Sequence, residues 1–221
     1  QATMLTGLLP RDHGIVGNGW YDRTLSEVQF WKQSNRVVLA PKVWDELHAK
    51  NPKLKVANLF WWYNMGTAAD ISVTPRPVYK ADGGKIFDIA SYPQRYKELL
   101  KRELGDFPFH SFWGPRAGLP SSQWIADSAR WIEEHEQPDL SLVYLPHLDY
   151  DLQRFGPADP RCDVARRDVD KLVGDLAEFL EARGVEVLIV SEYAITAVDR
   201  AVPLNKVLRG HGWLELKPED F

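Results

Sequence analysis

The stretch from Leu140 to Val190 constrains the fold more than any other part of the chain. Leu140 to Leu145 is apolar and has the length of a strand. Pro160 to Arg183 then carries Ala165, Val169, Leu172, Val173, Leu176, Phe179 and Leu180 at spacings of three and four, which aligns them on one stripe of a long helix. Gly184 follows as a C-terminal stop. Val185-Glu186-Val187-Leu188-Ile189-Val190 is an almost unbroken β-branched run, the pattern of a parallel strand covered on both faces. Strand, helix and strand in that order form a right-handed βαβ unit. The expected fold is therefore α/β, with a mostly parallel sheet flanked by helices.

The rest of the chain is punctuated less clearly. Pro41 followed by Val43, Trp44 and Leu47 opens a helix that Asn51-Pro52 ends. Lys55 to Trp61 reads as a buried strand. Met65 to Gly84 reads as loop, and Tyr92 to Leu104 as a helix with Gly105 beyond its end. Asp106 to Pro120 is again loop-like, so the region 65–120 is expected to be a cap or insertion over the sheet edge. Ser121 or Ser122 can cap a helix reaching His135. A last helix spans about Pro203 to Arg209.

The chain has 221 residues, 44% hydrophobic and 26% charged, enough for one large domain and too apolar for disorder. Twenty-seven basic against 31 acidic residues leave a net charge of −4, which argues against binding a nucleic-acid polymer. No apolar run approaches the ~18 residues of a membrane span. The single cysteine, Cys162, excludes an internal disulfide and a cysteine-based zinc module, and it fits a reducing compartment such as the cytoplasm. Oligomeric state leaves no signal. The chain starts at Gln1 and stops just after Trp213-Leu214-Glu215-Leu216, so 1–221 is expected to be one α/β catalytic-type domain segment, incomplete at both ends.

In open α/β sheets, ligands bind beyond the carboxyl ends of the strands. Two carboxylate-bearing segments are expected there. One is Pro146-His147-Leu148-Asp149-Tyr150-Asp151-Leu152-Gln153, and the other is Ser191-Glu192-Tyr193-Ala194. Facing carboxylates repel unless a cation or a proton lies between them. If the first segment is strand-like, His147, Asp149 and Asp151 share a face.

Thr6-Gly7-Leu8-Leu9-Pro10-Arg11-Asp12-His13-Gly14-Ile15-Val16-Gly17-Asn18 resembles the Thr-Gly-x-x-Pro-x-x-His-Gly-Ile-x-x-Asn motif of the type I phosphodiesterase and nucleotide pyrophosphatase family, within the alkaline phosphatase superfamily. Three further segments are similar in the same order: Leu59-Phe60-Trp61-Trp62, Asp149-x-x-x-Gln153-x-x-Gly156-Pro157, and Val190-Ser191-Glu192-Tyr193-Ala194. The resemblance covers most of the chain and implies an alkaline-phosphatase-like fold. It also implies a metal-dependent phosphoester hydrolase using two divalent ions, zinc first and manganese or magnesium as alternatives, on a small phosphoester or nucleotide.

The same resemblance places the nucleophile upstream of Gln1, so no catalytic residue is expected within the segment, which alone would be inactive. Asp149 and Glu192 become the expected metal ligands, with His147, Asp151, Gln153 and Tyr193 as weaker candidates, and Asn18, Trp62 and Tyr63 as substrate-binding candidates. The departures are as informative. Gln153 and Tyr193 stand where the family has histidines, and Glu192 stands where it has aspartate. They leave open a binding protein with a degraded metal site. The shared scaffold leaves open a phosphatase, mutase, sulfatase or phosphonate hydrolase.

Overall fold

A computed structural model describes residues 1–216 of the chain. Two short helices, α1 (Ala2–Thr6) and α2 (Pro10–His13), each end on a glycine in the left-handed region, Gly7 and Gly14. A hairpin of β1 (Gly19–Asp22) and β2 (Glu27–Phe30) follows; the Asp22 carboxylate accepts from the Thr24 and Leu25 amides and so closes its turn. Helix α3 (Val43–Lys50) begins where Asp45 accepts from the Lys42 amide.

The central sheet has the order β7-β4-β3-β8. Strands β3 (Val56–Leu59), β4 (Ile71–Pro75) and β8 (Leu140–Val143) run parallel, with Ala57 opposite both Ile71 and Ser141. Strand β7 (Ile89–Tyr92) closes one edge antiparallel to β4. Two of these four strands, β4 and β7, come from the stretch expected to be a cap. Ile71–Pro75 is buried throughout, a pattern that Pro75 and Pro77 disguised as loop. What lies outside the sheet in this region is a small hairpin of β5 (Val78–Tyr79) and β6 (Lys85–Ile86), together with the aromatic loop around 105–118.

Alternation along β3 divides the interior in two. Ala57 and Leu59 face a large core built with α4 (Arg95–Leu104), α5 (Leu119–Glu136) and α7 (Cys162–Glu181). Val56 faces a smaller core with Leu5 of α1 and Trp44 of α3. Helices thus cover both faces. Helix α6 (Leu148–Phe155) connects β8 to α7, and α8 (Leu204–Gly210) ends the described chain near its last turn.

Two further expectations are corrected. The N-cap of α5 is Gly118, not Ser121 or Ser122; those serines are buried inside the first turns, where Ser121 Oγ donates to the Ser111 and Gly118 carbonyls. Val185–Val190 does not pair into the sheet. Val185 and Val187 rest against the large core, but Leu188, Ile189 and Val190 are 85%, 68% and 50% exposed. A fully apolar strand needs cover on both faces, and none of the described residues covers the outer one.

At the other edge of the sheet, Asp88 binds Lys97, accepts from the Ile89 amide, and lies 3.3 Å from Lys101. Burial opposes its ionisation, but the hydrogen bonds from Lys97, Ile89 and Lys101 prevail and hold its carboxyl below the usual range. A lowered carboxyl pKa contributes stability above the unfolded-state value near ~3.9, lost as pH falls through the folded-state value. Asp88→Asn is expected to cost about 1–2 kcal/mol at pH 7. In urea unfolding, its difference from the parent should close as pH drops below ~4. A gap that persists at acid pH would assign the cost to packing.

Candidate functional site

The carboxyl ends of β3 and β8 meet two segments, α6 and the turn at 191–194. Beyond β3, Phe60 and Tyr63 have left-handed backbones (φ 67° and 59°), which turn the chain sharply over the sheet end. The Trp62 amide donates to Gln1 Oε1 at 2.6 Å, and Gln1 Nε2 donates to Glu192 Oε2 at 2.8 Å. Gln1 therefore bridges the end of β3 to the 191–194 turn.

On α6, Asp149 and Gln153 are one helical turn apart, and Gln153 Nε2 donates to Asp149 Oδ2 at 2.7 Å. The Tyr193 phenol lies close enough to the same carboxylate to be acted on by it. Burial, and then Asp149 and Glu192 as negative neighbours, push the Tyr193 pKa well above its ordinary value. Tyr144, just past β8, is pushed up by burial and by Glu192, Tyr193 and Asp149 in turn. Asp149, Gln153, Glu192 and Tyr193 therefore form one cluster with Gln1 and Tyr144. Sequence reasoning missed the last two. Gln1 left no signal; Tyr144 left one, as a polar-tipped residue at a strand end two positions before Pro146.

Other candidates lie elsewhere. Residues 148–155 are helical, so the shared face expected of a strand-like stretch does not form. His147 turns inward instead: it is 3% exposed, and its Nδ1 meets Ser122 Oγ at 2.9 Å. Burial lowers its pKa. Asp151 pairs with Arg154 at 2.9 Å, and Arg154 also donates to the Gly114 and Pro115 carbonyls. Tyr63 is a core residue, 5% exposed beside Ala2, Ile15 and Val38. Trp62 is half-buried; its Nε1 donates to the Lys32 carbonyl and its ring stands between Trp31 and Trp113, at 5.9 and 6.2 Å. Asn18 is exposed, and its carbonyl accepts from Trp31. His13 braces its loop: the Ile15 amide donates to Nδ1, leaving Nε2 to donate to Thr3 Oγ1 at 3.0 Å. Thr6 Oγ1 donates to the Ala2 carbonyl and accepts from the Leu8 amide, an ordinary helix-end role.

A model of the type I phosphodiesterase / nucleotide pyrophosphatase family matches residues 1–220. The chain belongs to this family. It is 25% identical over 189 residues to an uncharacterized pyrophosphatase/phosphodiesterase of Schizosaccharomyces pombe, covering 83% of this chain and 32% of the relative. Against ectonucleotide pyrophosphatase/phosphodiesterase family member 3 of Bos taurus it is 26% identical, covering 83% and 17%. The chain thus spans a third or less of the length of these curated relatives. Among solved structures, phosphonoacetate hydrolase of Sinorhizobium meliloti aligns with a TM-score of 0.53 at 16% identity, covering 80% of this chain and 41% of that one. Murine ectonucleotide pyrophosphatase/phosphodiesterase 5, in complex with AMP, aligns at 0.50 and 16%, covering 83% and 40%. These likenesses establish the alkaline-phosphatase-like α/β fold.

Among the described residues, the donor set does not fit the pair of zinc ions that the sequence resemblance implies. Zinc prefers imidazole and thiolate with carboxylate, whereas the cluster offers two carboxylates, an amide and a phenol. The amide already donates a proton to Asp149. Among the described residues, no three His, Cys, Asp or Glu side chains converge as a metal would need.

Proposed function

We propose that the whole protein is a phosphoester hydrolase acting on a small phosphoester or nucleotide, and that this chain supplies one side of its substrate cleft. The observation that carries the reading is that Gln1 joins the Trp62 amide to Glu192 beside Asp149 at the carboxyl ends of parallel strands, within a chain matched by the phosphodiesterase family model along its length. Trp62 offers an aromatic face for the organic part of a substrate. Asp149 and Glu192 cannot approach a phosphate unaided, because like charges repel; compensating positive charge has to come from elsewhere in the whole protein or from a cation. No nucleophile is assigned to the described residues.

A second reading, a binding protein that keeps the fold with a degraded metal site, is favoured by the Gln153 amide seated on Asp149. The two separate in one assay. Full-length protein is incubated with a nitrophenyl phosphodiester, with added zinc or manganese and with chelator. Turnover above that of the buffer alone is the expected result, and the chelator arm reads whether a cation takes part. No turnover under any of these conditions, together with AMP binding detected by calorimetry, would replace the hydrolase with the binding protein.

A further inference from the structure

Amide and phenol groups occupy the positions around Asp149 and Glu192 from which a zinc ion would be held. Asp149 Oδ2 accepts from Gln153 Nε2 at 2.7 Å, and the Tyr193 phenol lies beside the same carboxylate. Glu192 Oε2 accepts from Gln1 Nε2 at 2.8 Å. Each carboxylate therefore already has a neutral partner. A cation approaching Asp149 Oδ2 would meet an N–H pointing the same way, and the amide would have to turn over and give up its helical i,i+4 bond. A phenol is protonated at neutral pH, with an ordinary pKa near ~10, and is a poor zinc ligand in that form. The imidazole closest in sequence, His147, is 3% exposed; its Nδ1 is bonded to Ser122 Oγ and its buried Nε2 has no partner among the described residues.

We propose that Gln153 and Gln1, through neutral hydrogen bonds, and the adjacent Tyr193 phenol replace a bound zinc ion, so that the Asp149–Glu192 cluster takes no zinc and instead ties α6, the 191–194 turn and the end of β3 together. The inference is read from zinc binding alone. A failed hydrolysis assay leaves it intact, and its own failure leaves the hydrolase reading to that assay.

The test uses full-length protein stripped of metal and titrated with zinc at about 100 times a micromolar dissociation constant, followed by thermal unfolding and elemental analysis. The parent protein is expected to show no rise in Tm that depends on Asp149. Gln153→His combined with Tyr193→His supplies imidazole at both positions, and zinc is expected to raise its Tm by about 5–10 °C. Adding Asp149→Ala to that variant should remove the rise. Stoichiometric zinc on the parent, lost in Asp149→Ala, overturns the proposal. So does a histidine variant that keeps the parent's circular dichroism yet gains nothing, because the amide and phenol would then not be what excludes the metal. Zinc binding to the parent that survives Asp149→Ala lies at another site and supports the proposal.

Discussion

Asp149→Ala is expected to lower kcat/KM of the full-length protein for a nitrophenyl phosphodiester by at least about 100-fold. Asp149 is the one carboxylate on which three parts of the cluster converge: it accepts from Gln153, it faces Tyr193, and its charge acts on Tyr144 beyond β8. Truncation removes a charge and two hydrogen-bond acceptors at once. Asp175→Ala, which breaks an exposed ion pair with Lys171 on α7, should leave turnover within about twofold of the parent, as surface pairs contribute little. Equal loss in both variants would mean that Asp149 acts through stability. Unchanged turnover in Asp149→Ala would remove the cluster from the reaction altogether.

The second large effect concerns folding. Phe60→Ala should lower stability by about 3–5 kcal/mol in urea unfolding. Phe60 is 1% exposed and sits between Phe107, Phe112 and Trp124, with ring centroids 4.9, 5.6 and 6.1 Å away. Its amide donates to the Val73 carbonyl at 2.8 Å, continuing the β3–β4 ladder, while its φ of 67° already bends the chain over the sheet end. Glycine ordinarily costs about 0.5–1 kcal/mol more than alanine, but it adopts a left-handed backbone without penalty. Phe60→Gly should therefore be no less stable than Phe60→Ala. A glycine variant clearly weaker than the alanine variant would show that no strain is held at this turn.

How far the sequence reached depends on the kind of signal. The helices at 43–50, 95–104, 119–136 and 162–181 were legible because an apolar stripe at helical period, flanked by Pro and Gly, has few other readings. Ile71–Pro75 was missed because a strand needs only a few residues, and two nearby prolines resembled a loop. Val185–Val190 had the clearest strand pattern in the chain and stays unpaired, since composition reports a wish for burial and not the neighbour that provides it. The carboxylates of the cluster were found by motif spacing. Gln1 was not, because a terminal glutamine reaching Glu192 is a contact across 191 positions, with no local pattern to announce it. The burial of Tyr63 and His147 was not legible for a common reason: each adjoins a turn whose backbone conformation, absent from any residue pattern, decides which way the side chain faces.

The unpaired run after Gly184 also has a colloidal meaning. Among the described residues, strand β8 pairs on one side only, and beside the core lies a β-branched, proline-free ribbon whose Leu188, Ile189 and Val190 are exposed. Short segments of that composition, exposed next to open backbone donors and acceptors, are templates for further strands. The property that makes this ribbon suited to complete a sheet is the same one that makes it adhesive. Two charges oppose such pairing, Glu186 within the run and Glu192 just after it, in the manner of gatekeepers.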